Sequence, residues 1–380
     1  MHHMQTHPPR TRRLGYTGRA AVAVIAAAGL AACGSSSSSS SSSAAATSSS
    51  AATSSGTSSS AATSSAAAGG GSLKKGLKVF VIPKNLGNNY FTVADSVKTG
   101  GALAALGTLG ESGSETSGSA ATSASQLPAI QAAIAKGANA LIVSATDPTA
   151  LCPTLKQAMG RGIAVVTYDS DAPTCRSLFV NQASTAAIGT SEVDVLAKAM
   201  HDTGQVGIVS AAASATNQNA WIGYMKQELK KYPKMSLVST VYGNDDPTTA
   251  TQVTSGLLQH YPKLGGIISP TTVGILAAAG VLDTPQYRGK VQLTGLGTPL
   301  SMKKFVDDGT VQAFELWDPA KLGYLAAYAA VNLASKTVTG ASGQSFTAGK
   351  LGKFTIASDH SILLGPPQVF NKANIAQFNF

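Results

Sequence analysis

Six groups of polar and aromatic residues occur in this sequence, each after a short apolar run. They contain carboxylates, amides, one lysine and several aromatic rings. The candidate ligand contacts are Lys84, Asn88, Tyr90, Phe91, Asp169, Asp171, Asn217, Gln218, Pro270, Thr272, Trp317 and Asp318. Carboxylates accept hydrogen bonds from hydroxyls, amides donate and accept, and an aromatic face covers the apolar face of a sugar ring. This mixture predicts a site for a neutral polyhydroxylated ligand.

Each candidate also has a structural interpretation that the sequence alone leaves open. Asn217 and Asp169 could serve as helix N-caps, because their side chains accept from backbone N–H groups. Tyr90 and Phe91 could form the buried start of a helix. Trp221 lies one helical turn beyond the candidate glutamine and is of a type that more often packs in a core.

The sequence offers little support for catalysis or for a bound cofactor. It contains no G-x-S-x-G, H-E-x-x-H or C-x-x-C motif. It also lacks the G-x-G-x-x-G and G-x-x-x-x-G-K-[ST] loops that bind phosphate groups. We therefore expect a protein that is not an enzyme and that holds no cofactor and no metal.

Apolar runs alternate with longer helical segments from residue 77 onward. The predicted strands are 77–82, 140–144, 163–167, 205–210, 236–241, 266–269, 291–294 and 311–316. The predicted helices are 91–106, 126–136, 149–161, 183–201, 216–231, 249–260 and 273–281. Continuous apolar strands alternating with helices predict parallel sheets covered on both faces. Ligands bind beyond the carboxyl ends of such strands, which is where the candidate residues occur.

These strands are too many for one sheet, so the predicted fold is α/β with two Rossmann-like domains joined by a multi-strand hinge. Crossings between the domains are expected near 181–182, 296–299 and 316–319. The N-terminal α/β domain is then 73–181 plus about 299–316, and the C-terminal α/β domain is 182–298 plus about 317–380. The ligand cleft is expected between the two domains.

Residues 1–32 predict a secretory signal peptide, in which four arginines precede an apolar run too short to span a bilayer. Residues 30–33 read Leu-Ala-Ala-Cys and resemble a bacterial lipobox, which predicts lipidation of Cys33. An ordinary signal peptide with an incidental cysteine is the alternative. Residues 33–72 are almost entirely Ser, Ala, Thr and Gly and predict a disordered tether. The expected location is the outer face of the cytoplasmic membrane, on a Gram-positive cell surface or in the periplasm.

Charge and cysteine content narrow the partners further. The net charge is +10, but four of the 28 basic residues lie in the leader, which leaves 24 basic against 18 acidic residues with no dense cluster. Nucleic-acid binding would need a basic stripe or a known motif.

Beyond Cys33 the chain has only Cys152 and Cys175. In an oxidising compartment this pair favours a disulfide over two buried free thiols.

At these residues the chain resembles the type I periplasmic binding proteins of sugar ABC importers, and among them the rhamnose-binding proteins and the related autoinducer-2 binding proteins. The resemblance covers nearly all of 78–380. The segments that carry it are 83–88, 167–171, 179–182, 215–221, 266–274 and 314–319. The two cysteines also have counterparts in the autoinducer-2 group, which supports their pairing.

The autoinducer-2 pattern is matched at four positions and departed from at two. Lys84, Asp169, Gln218 and Pro270 match, whereas Asn217 stands where that group has Asp, and Thr272 stands where it has Ala. The Asn-Gln and Pro-Thr-Thr sequences resemble the rhamnose group instead. Asn89 departs from the rhamnose relatives, which usually have proline there.

The resemblance implies an extracytoplasmic solute-binding lipoprotein. It would capture a monosaccharide, with rhamnose the first candidate, by hinge closure and deliver it to an ABC import permease and its ATPase subunit. The alternatives are an autoinducer-2 binding and uptake protein, or a sugar-sensing module for a receptor or kinase. The expected partners are the sugar, the permease with its ATPase, and the membrane through the lipid; no nucleic acid is expected, and the chain is expected to be a monomer.

Overall fold

The computed structural model describes residues 71–380. The expected signal peptide, the lipidation at Cys33 and nearly all of the expected tether lie outside the described residues. None of the described helices is long and apolar enough to cross a membrane.

Strands and helices alternate along residues 71–380. The strands are β1 (Lys78–Ile82), β2 (Ser112–Glu115), β3 (Ala140–Val143), β4 (Ala164–Tyr168), β5 (Leu178–Asn181), β6 (Gly204–Ser210), β7 (Met235–Tyr242), β8 (Leu264–Ser269), β9 (Gln292–Gly295), β10 (Ala313–Leu316), β11 (Ser345–Thr347), β12 (Lys353–Thr355), β13 (Ser361–Leu363) and β14 (Gln368–Asn371). The helices are α1 (Asn89–Asp95), α2 (Ala102–Leu109), α3 (Ser123–Ala135), α4 (Pro148–Gly160), α5 (Thr185–Met200), α6 (Thr216–Glu228), α7 (Pro247–His260), α8 (Thr272–Leu282), α9 (Pro299–Asp307) and α10 (Pro319–Ser335).

A six-stranded parallel sheet forms the first lobe, in the order β13-β5-β4-β3-β1-β2. Every residue of β3 is buried, as a central strand with helices on both faces requires. Helix α10 packs against this lobe, over α1, α2 and β4. The approach is close, because a Cβ on Gly323 would lie 1.9 Å from the carbonyl oxygen of Ala94.

A four-stranded parallel sheet forms the second lobe, in the order β7-β6-β8-β9. Strand β10 continues it through a parallel bridge between Leu296 and Glu315, and β14 then pairs antiparallel with β10. Helix α5 packs on β8 and β9, and α7 packs on β7. The α/β fold with two lobes of mainly parallel strands agrees with the sequence prediction.

The eight predicted strands all form, with ends within two residues of the prediction. Strands β2 and β5, the short strands after residue 340, and helices α9 and α10 were not predicted. The predicted helix 91–106 is two helices, α1 and α2, because the chain turns back at Gly101. A Cβ at that position would lie 2.0 Å from the carbonyl oxygen of Ala94, which only glycine avoids.

The predicted assignment of residues 299–363 to the two domains is wrong, whereas β14 lies with the second lobe as predicted. Residues 299–316 form α9 and β10, which stay in the second lobe against α8, β9 and α5. Helix α10 and strand β13 belong to the first lobe. The chain therefore crosses between lobes near 182–184, 317–318 and 364–367. Of the three predicted crossings, those near 181–182 and 316–319 correspond to crossings in the structure. The third, at 296–299, does not occur, because β9, α9 and β10 pack consecutively.

A disulfide joins Cys152 on α4 to Cys175 in the segment before β5, which confirms that prediction. The bond closes a loop of about two dozen residues at the end of the first lobe. Loop closure of this size stabilises a fold by about 3 kcal/mol.

Candidate ligand-binding cleft

A cavity of about 340 Å³ lies between the two lobes, at the carboxyl ends of their strands. Its lining residues are Lys84, Asn88, Tyr90, Phe91, Asp169, Asn217, Gln218, Trp221, Asp245, Pro270, Thr271, Thr272, Leu296, Leu316 and Trp317. Ten of the twelve residues that the sequence predicted as ligand contacts are among them.

Both lobes supply the lining because each parallel sheet presents the ends of its strands to the cleft. Lys84 follows β1, and Asp169 follows β4, in the first lobe. Gln218 lies in the first turn of α6, Pro270 follows β8, and Trp317 follows β10. The order of these elements along the chain differs from their order in space, so residues far apart in sequence share one cavity.

The lobes touch on both sides of the cavity, so the cleft is closed. On one side the Thr216 hydroxyl donates to the backbone carbonyl of Asp171 at 3.0 Å, and the Ser214 hydroxyl donates to that of Thr146 at 3.1 Å. On the other side the Thr272 hydroxyl lies 3.5 Å from the side-chain oxygen of Asn88. A ligand seated here would be held from both lobes and shielded from water.

The charged centre of the first lobe is the pair formed by Lys84 and Asp169. Lys84 Nζ lies 3.5 Å from Asp169 Oδ2, and both side chains are more than nine-tenths buried. The same oxygen accepts from the Ser144 hydroxyl at 2.7 Å, and Oδ1 accepts from the Asn217 amide at 3.3 Å. Asp169 has a φ of +59°, a conformation that is uncommon for non-glycine residues and that aims its carboxylate into the cleft.

Aromatic rings form the apolar wall of the cavity. The indole N–H of Trp317 donates to the hydroxyl of Tyr90 at 2.8 Å, and the two rings meet edge to face. Phe91 packs edge to face on Tyr90, and Trp221 lies 6.0 Å from Trp317 between ring centroids. Burial, and then the negative charge of Asp169, raise the pKa of the Tyr90 hydroxyl well above its ordinary value. Tyr90 is therefore a neutral hydroxyl in the cavity wall.

The two adjacent amides on α6 are used differently. The Gln218 side-chain oxygen accepts from the Ser210 hydroxyl at 2.5 Å and from the backbone N–H of Ala211 at 2.7 Å. Within residues 71–380 its amide nitrogen has no acceptor, so that nitrogen is available to a ligand. Asn217 instead bridges the lobes through its contact with Asp169.

Two predicted contacts, Asp171 and Asp318, do not line the cavity. The Asp171 carboxylate is occupied by Arg176, at 3.0 Å from both Nε and Nη2, and by the backbone N–H of Ala172. The Asp318 carboxylate caps α10 by accepting from the N–H groups of Ala320 and Lys321. Both residues follow a strand, as the others do, but their side chains turn into local hydrogen bonds.

Five residues of the lining were not predicted as contacts: Trp221, Asp245, Thr271, Leu296 and Leu316. Trp221 is only 2% exposed, as expected for a tryptophan that packs in the core. It also lines the cavity. Asp245 lies in the turn after β7, and the rule that selected the other strand ends would have found it. Leu296 and Leu316 carry no polar signal that a sequence could offer.

Comparisons with known proteins agree with this geometry. The chain matches the family described as periplasmic binding protein domain over residues 79–337. It is similar to a sugar ABC transporter structure from Actinomyces odontolyticus, with 43% identity, a TM-score of 0.63, and 80% of this chain and 98% of that chain covered.

Two further similar structures contain ligands. One is an ABC transporter solute-binding protein from Clostridium phytofermentans with bound L-rhamnose, with 35% identity, a TM-score of 0.76, and 81% of this chain and 99% of that chain covered. The other is LsrB from Clostridium saccharobutylicum in complex with AI-2, with 25% identity, a TM-score of 0.75, and 80% and 100% covered.

A curated relative is the D-ribose/D-allose-binding protein of Pseudomonas aeruginosa. The two sequences are 26% identical over 199 residues, which is 50% of this chain and 61% of the relative. The matching segment thus spans less than two thirds of that protein's length.

Proposed function

Because this chain belongs to the periplasmic binding protein domain family, we propose that it captures one monosaccharide outside the cytoplasm and delivers it to an ABC import permease. The observation that carries the proposal is the closed cavity between two lobes, with one ion pair, a free amide donor and an aromatic wall. These groups match the hydroxyls and the apolar face of a sugar ring.

L-Rhamnose is the first candidate ligand. It carries a methyl group where most hexoses carry a hydroxymethyl group, and the apolar wall of Leu296, Leu316 and Trp317 suits a methyl group better than a hydroxyl. The likeness to the rhamnose-bound protein of C. phytofermentans supports this choice. So do Asn217 and Thr272, which line the cavity and distinguish the rhamnose pattern from the autoinducer-2 pattern.

Autoinducer-2 is the second candidate. Lys84, Asp169, Gln218 and Pro270 all line the cavity, and they are the four positions that match the autoinducer-2 pattern. The likeness to LsrB in complex with AI-2 supports it as well.

Capture works by closure of the lobes. The contacts that span the cleft, such as the Asn217 amide on the Asp169 carboxylate, exist only when the lobes meet. A ligand that bonds to both lobes adds contacts of the same kind and so shifts the population toward the closed form. The closed form would then dock on the permease, whose ATPase subunit drives release of the sugar into the cell. If the closed form docks on a receptor or kinase instead, the protein is a sugar sensor.

The proposal includes export, lipid anchoring at Cys33 and action as a monomer, with residues 33–72 as the tether. Mass spectrometry of the N-terminal peptide from cells checks the anchor, since a diacylglyceryl group on Cys33 is expected. A mature N-terminus at any other residue, without lipid, would contradict it.

Calorimetric titration of the full chain tests the ligand. L-Rhamnose should bind one to one, with no turnover of the sugar on prolonged incubation, whereas ribose and autoinducer-2 should give no heat. Binding of autoinducer-2 alone would transfer the function to signal uptake, and binding of none would refute the proposal. The chain's two tryptophans, Trp221 and Trp317, both line the cavity, so their fluorescence gives an independent reading of occupancy.

A matched pair of variants places the site. Gln218→Glu keeps the oxygen that Ser210 and Ala211 use but removes the free donor, and should weaken binding about tenfold. Asp318→Asn is the control, because asparagine also caps helices and residue 318 lies outside the lining. Equal losses in both variants would show that the cavity is not the binding site.

A further inference from the structure

Asp245 is a carboxylate of the second lobe that no sequence pattern assigned to the cavity. It lies in the turn between β7 and α7, lines the cavity, and is 8% exposed. Asn244 and Asp245 both have positive φ, at +54° and +49°. Two consecutive non-glycine residues in this region cost conformational energy, which the surrounding contacts must offset.

The turn is held by the neighbouring strand end. The backbone N–H of Gly243 donates to the carbonyl of Ser210 at 2.8 Å, and that of Asn244 donates to the carbonyl of Ala211 at 3.1 Å. The same two residues hold the Gln218 side chain through other groups, the Ser210 hydroxyl and the Ala211 N–H. The turn that carries Asp245 is thus fixed to the strand end that positions a candidate ligand contact.

The two oxygens of the Asp245 carboxylate are in different states. Oδ1 accepts from the Thr271 hydroxyl, which fixes the plane of the carboxylate. Oδ2 has no donor among residues 71–380, although the side chain is more than nine-tenths buried and lines the cavity. Oδ2 is not one of the fully buried unpartnered oxygens, so it keeps accessible surface at the cavity and can accept from a ligand hydroxyl.

The carboxylates of the two lobes share one cation. Lys84 of the first lobe contacts Asp169 of its own lobe, and its positive charge also acts on Asp245 across the cleft. Burial raises the pKa of Asp245, and Lys84 opposes that shift. The cavity therefore presents hydrogen-bond acceptors from both lobes, and its lining contains one ammonium group, that of Lys84.

We propose that Asp245 is a specificity residue that accepts a hydrogen bond from a ligand hydroxyl, so that the site selects neutral polyols with hydroxyls directed at both lobes. The inference rests on the proposed function, since it names a further contact of the same site. Asp245 was not among the contacts predicted from the sequence, whose acidic members, Asp169, Asp171 and Asp318, lie in other segments of the chain.

The test combines protein variants with ligand analogues. Three full-length proteins are compared: the unsubstituted full chain, the variant Asp245→Asn and the control Asp246→Asn. Each is titrated with L-rhamnose and with its 2-, 3- and 4-deoxy analogues. Asp246 is the adjacent exposed residue that caps α7, and asparagine preserves that cap. Thermal melting of each variant checks that it is folded.

Asp245→Asn should bind L-rhamnose at least tenfold more weakly than the full chain, whereas Asp246→Asn should stay within twofold. One deoxy analogue should bind the full chain at least tenfold more weakly than L-rhamnose and lose nothing more in Asp245→Asn, because the hydroxyl and its acceptor form one contact. That non-additivity is a signature that a purely structural role does not give.

Two outcomes overturn the inference while the proposed function stands. One is L-rhamnose binding by Asp245→Asn within twofold of the full chain. The other is an equal loss for every analogue in that variant, which would mean that residue 245 supports the fold and not a particular hydroxyl. Absence of any sugar binding by the full chain overturns the proposed function and the inference with it.

Discussion

Two buried glutamates near a crossing between the lobes make the stability of this protein depend on pH. Glu192 on α5 and Glu315 on β10 are both 0% exposed. Glu315 Oε2 accepts from the Ser191 hydroxyl at 2.5 Å, and within the described residues the other three carboxylate oxygens have no hydrogen-bond partner. Burial raises the pKa of Glu315 to about 8, and burial with the charge of Glu315 raises that of Glu192 well above its ordinary value.

The direction of the effect follows from where the proton is held. Between pH 5 and 8 the folded protein keeps a proton on Glu315, whereas the unfolded chain, with a pKa near 4.5, has lost it. Folding then takes up a proton, so the stabilisation is complete below about pH 4.5 and is lost as the pH rises through about 8. The free energy of unfolding should fall by about 1.4 kcal/mol per pH unit for each proton taken up, and so by about 2.8 kcal/mol per unit where the folded state keeps both Glu192 and Glu315 protonated.

The perturbation is the double variant in which Glu192 and Glu315 both become Gln, which cannot ionise. Urea denaturation of the full chain at pH 5.5, 6.5 and 7.5 measures the free energy of unfolding. The double variant should lose a slope of about 2.8 kcal/mol per pH unit, which is about 1.4 for each glutamate removed, and should be the more stable protein at pH 7.5. Asp307→Asn, at an exposed ion pair, is the control and should keep the parent slope. An identical slope in the parent and the double variant would refute the reasoning.

Three further predictions concern packing, the disulfide and the cavity wall. Gly323→Ala should destabilise the fold by more than about 2 kcal/mol, because the new Cβ meets the carbonyl of Ala94. The control Gly256→Ala should be neutral or stabilising, because its new Cβ meets nothing within 4 Å. A thermal melt that ranks the two variants otherwise contradicts the α10 packing. Cys152→Ser should cost about 3 kcal/mol in urea denaturation, and a reducing agent should lower the parent to the same value but leave the variant unchanged. Trp317→Phe removes the indole N–H that donates to the Tyr90 hydroxyl and should weaken L-rhamnose binding about tenfold by calorimetry; an unchanged Kd would exclude this wall from the site.

The class of fold and most of the candidate site could be predicted because they depend on local patterns. Buried parallel strands must be continuously apolar, so runs such as β3 and β8 are visible in the sequence itself. Polar residues after such runs have few reasons to be there except capping and ligand contact. That is why ten of twelve candidates line one cavity, and why the two exceptions, Asp171 and Asp318, are engaged in local ion pairing or capping.

The sequence could not assign residues 299–363 to their lobes. Helix α10 has an apolar pattern that would fit either sheet, and its packing on α1, α2 and β4, with Gly323 against Ala94, places it in the first lobe. Asp245 was missed for a different reason: it follows a strand like the other candidates, but an aspartate before a helix is commonly a cap. Asp246 performs that role here, which leaves the neighbouring carboxylate to the cavity.

Sequence by itself therefore determined most of the strands and helices of the two main sheets, most of the residues that stand at strand ends, and which cysteines can pair. Tertiary structure alone decided which strand ends face one another, how Lys84 comes to share one cavity with carboxylates of two lobes, and where Glu192 and Glu315 are buried together. The physical reason is the range of the forces involved. Apolar periodicity and capping act within a few residues, whereas the packing of one surface on another depends on shapes contributed by distant parts of the chain.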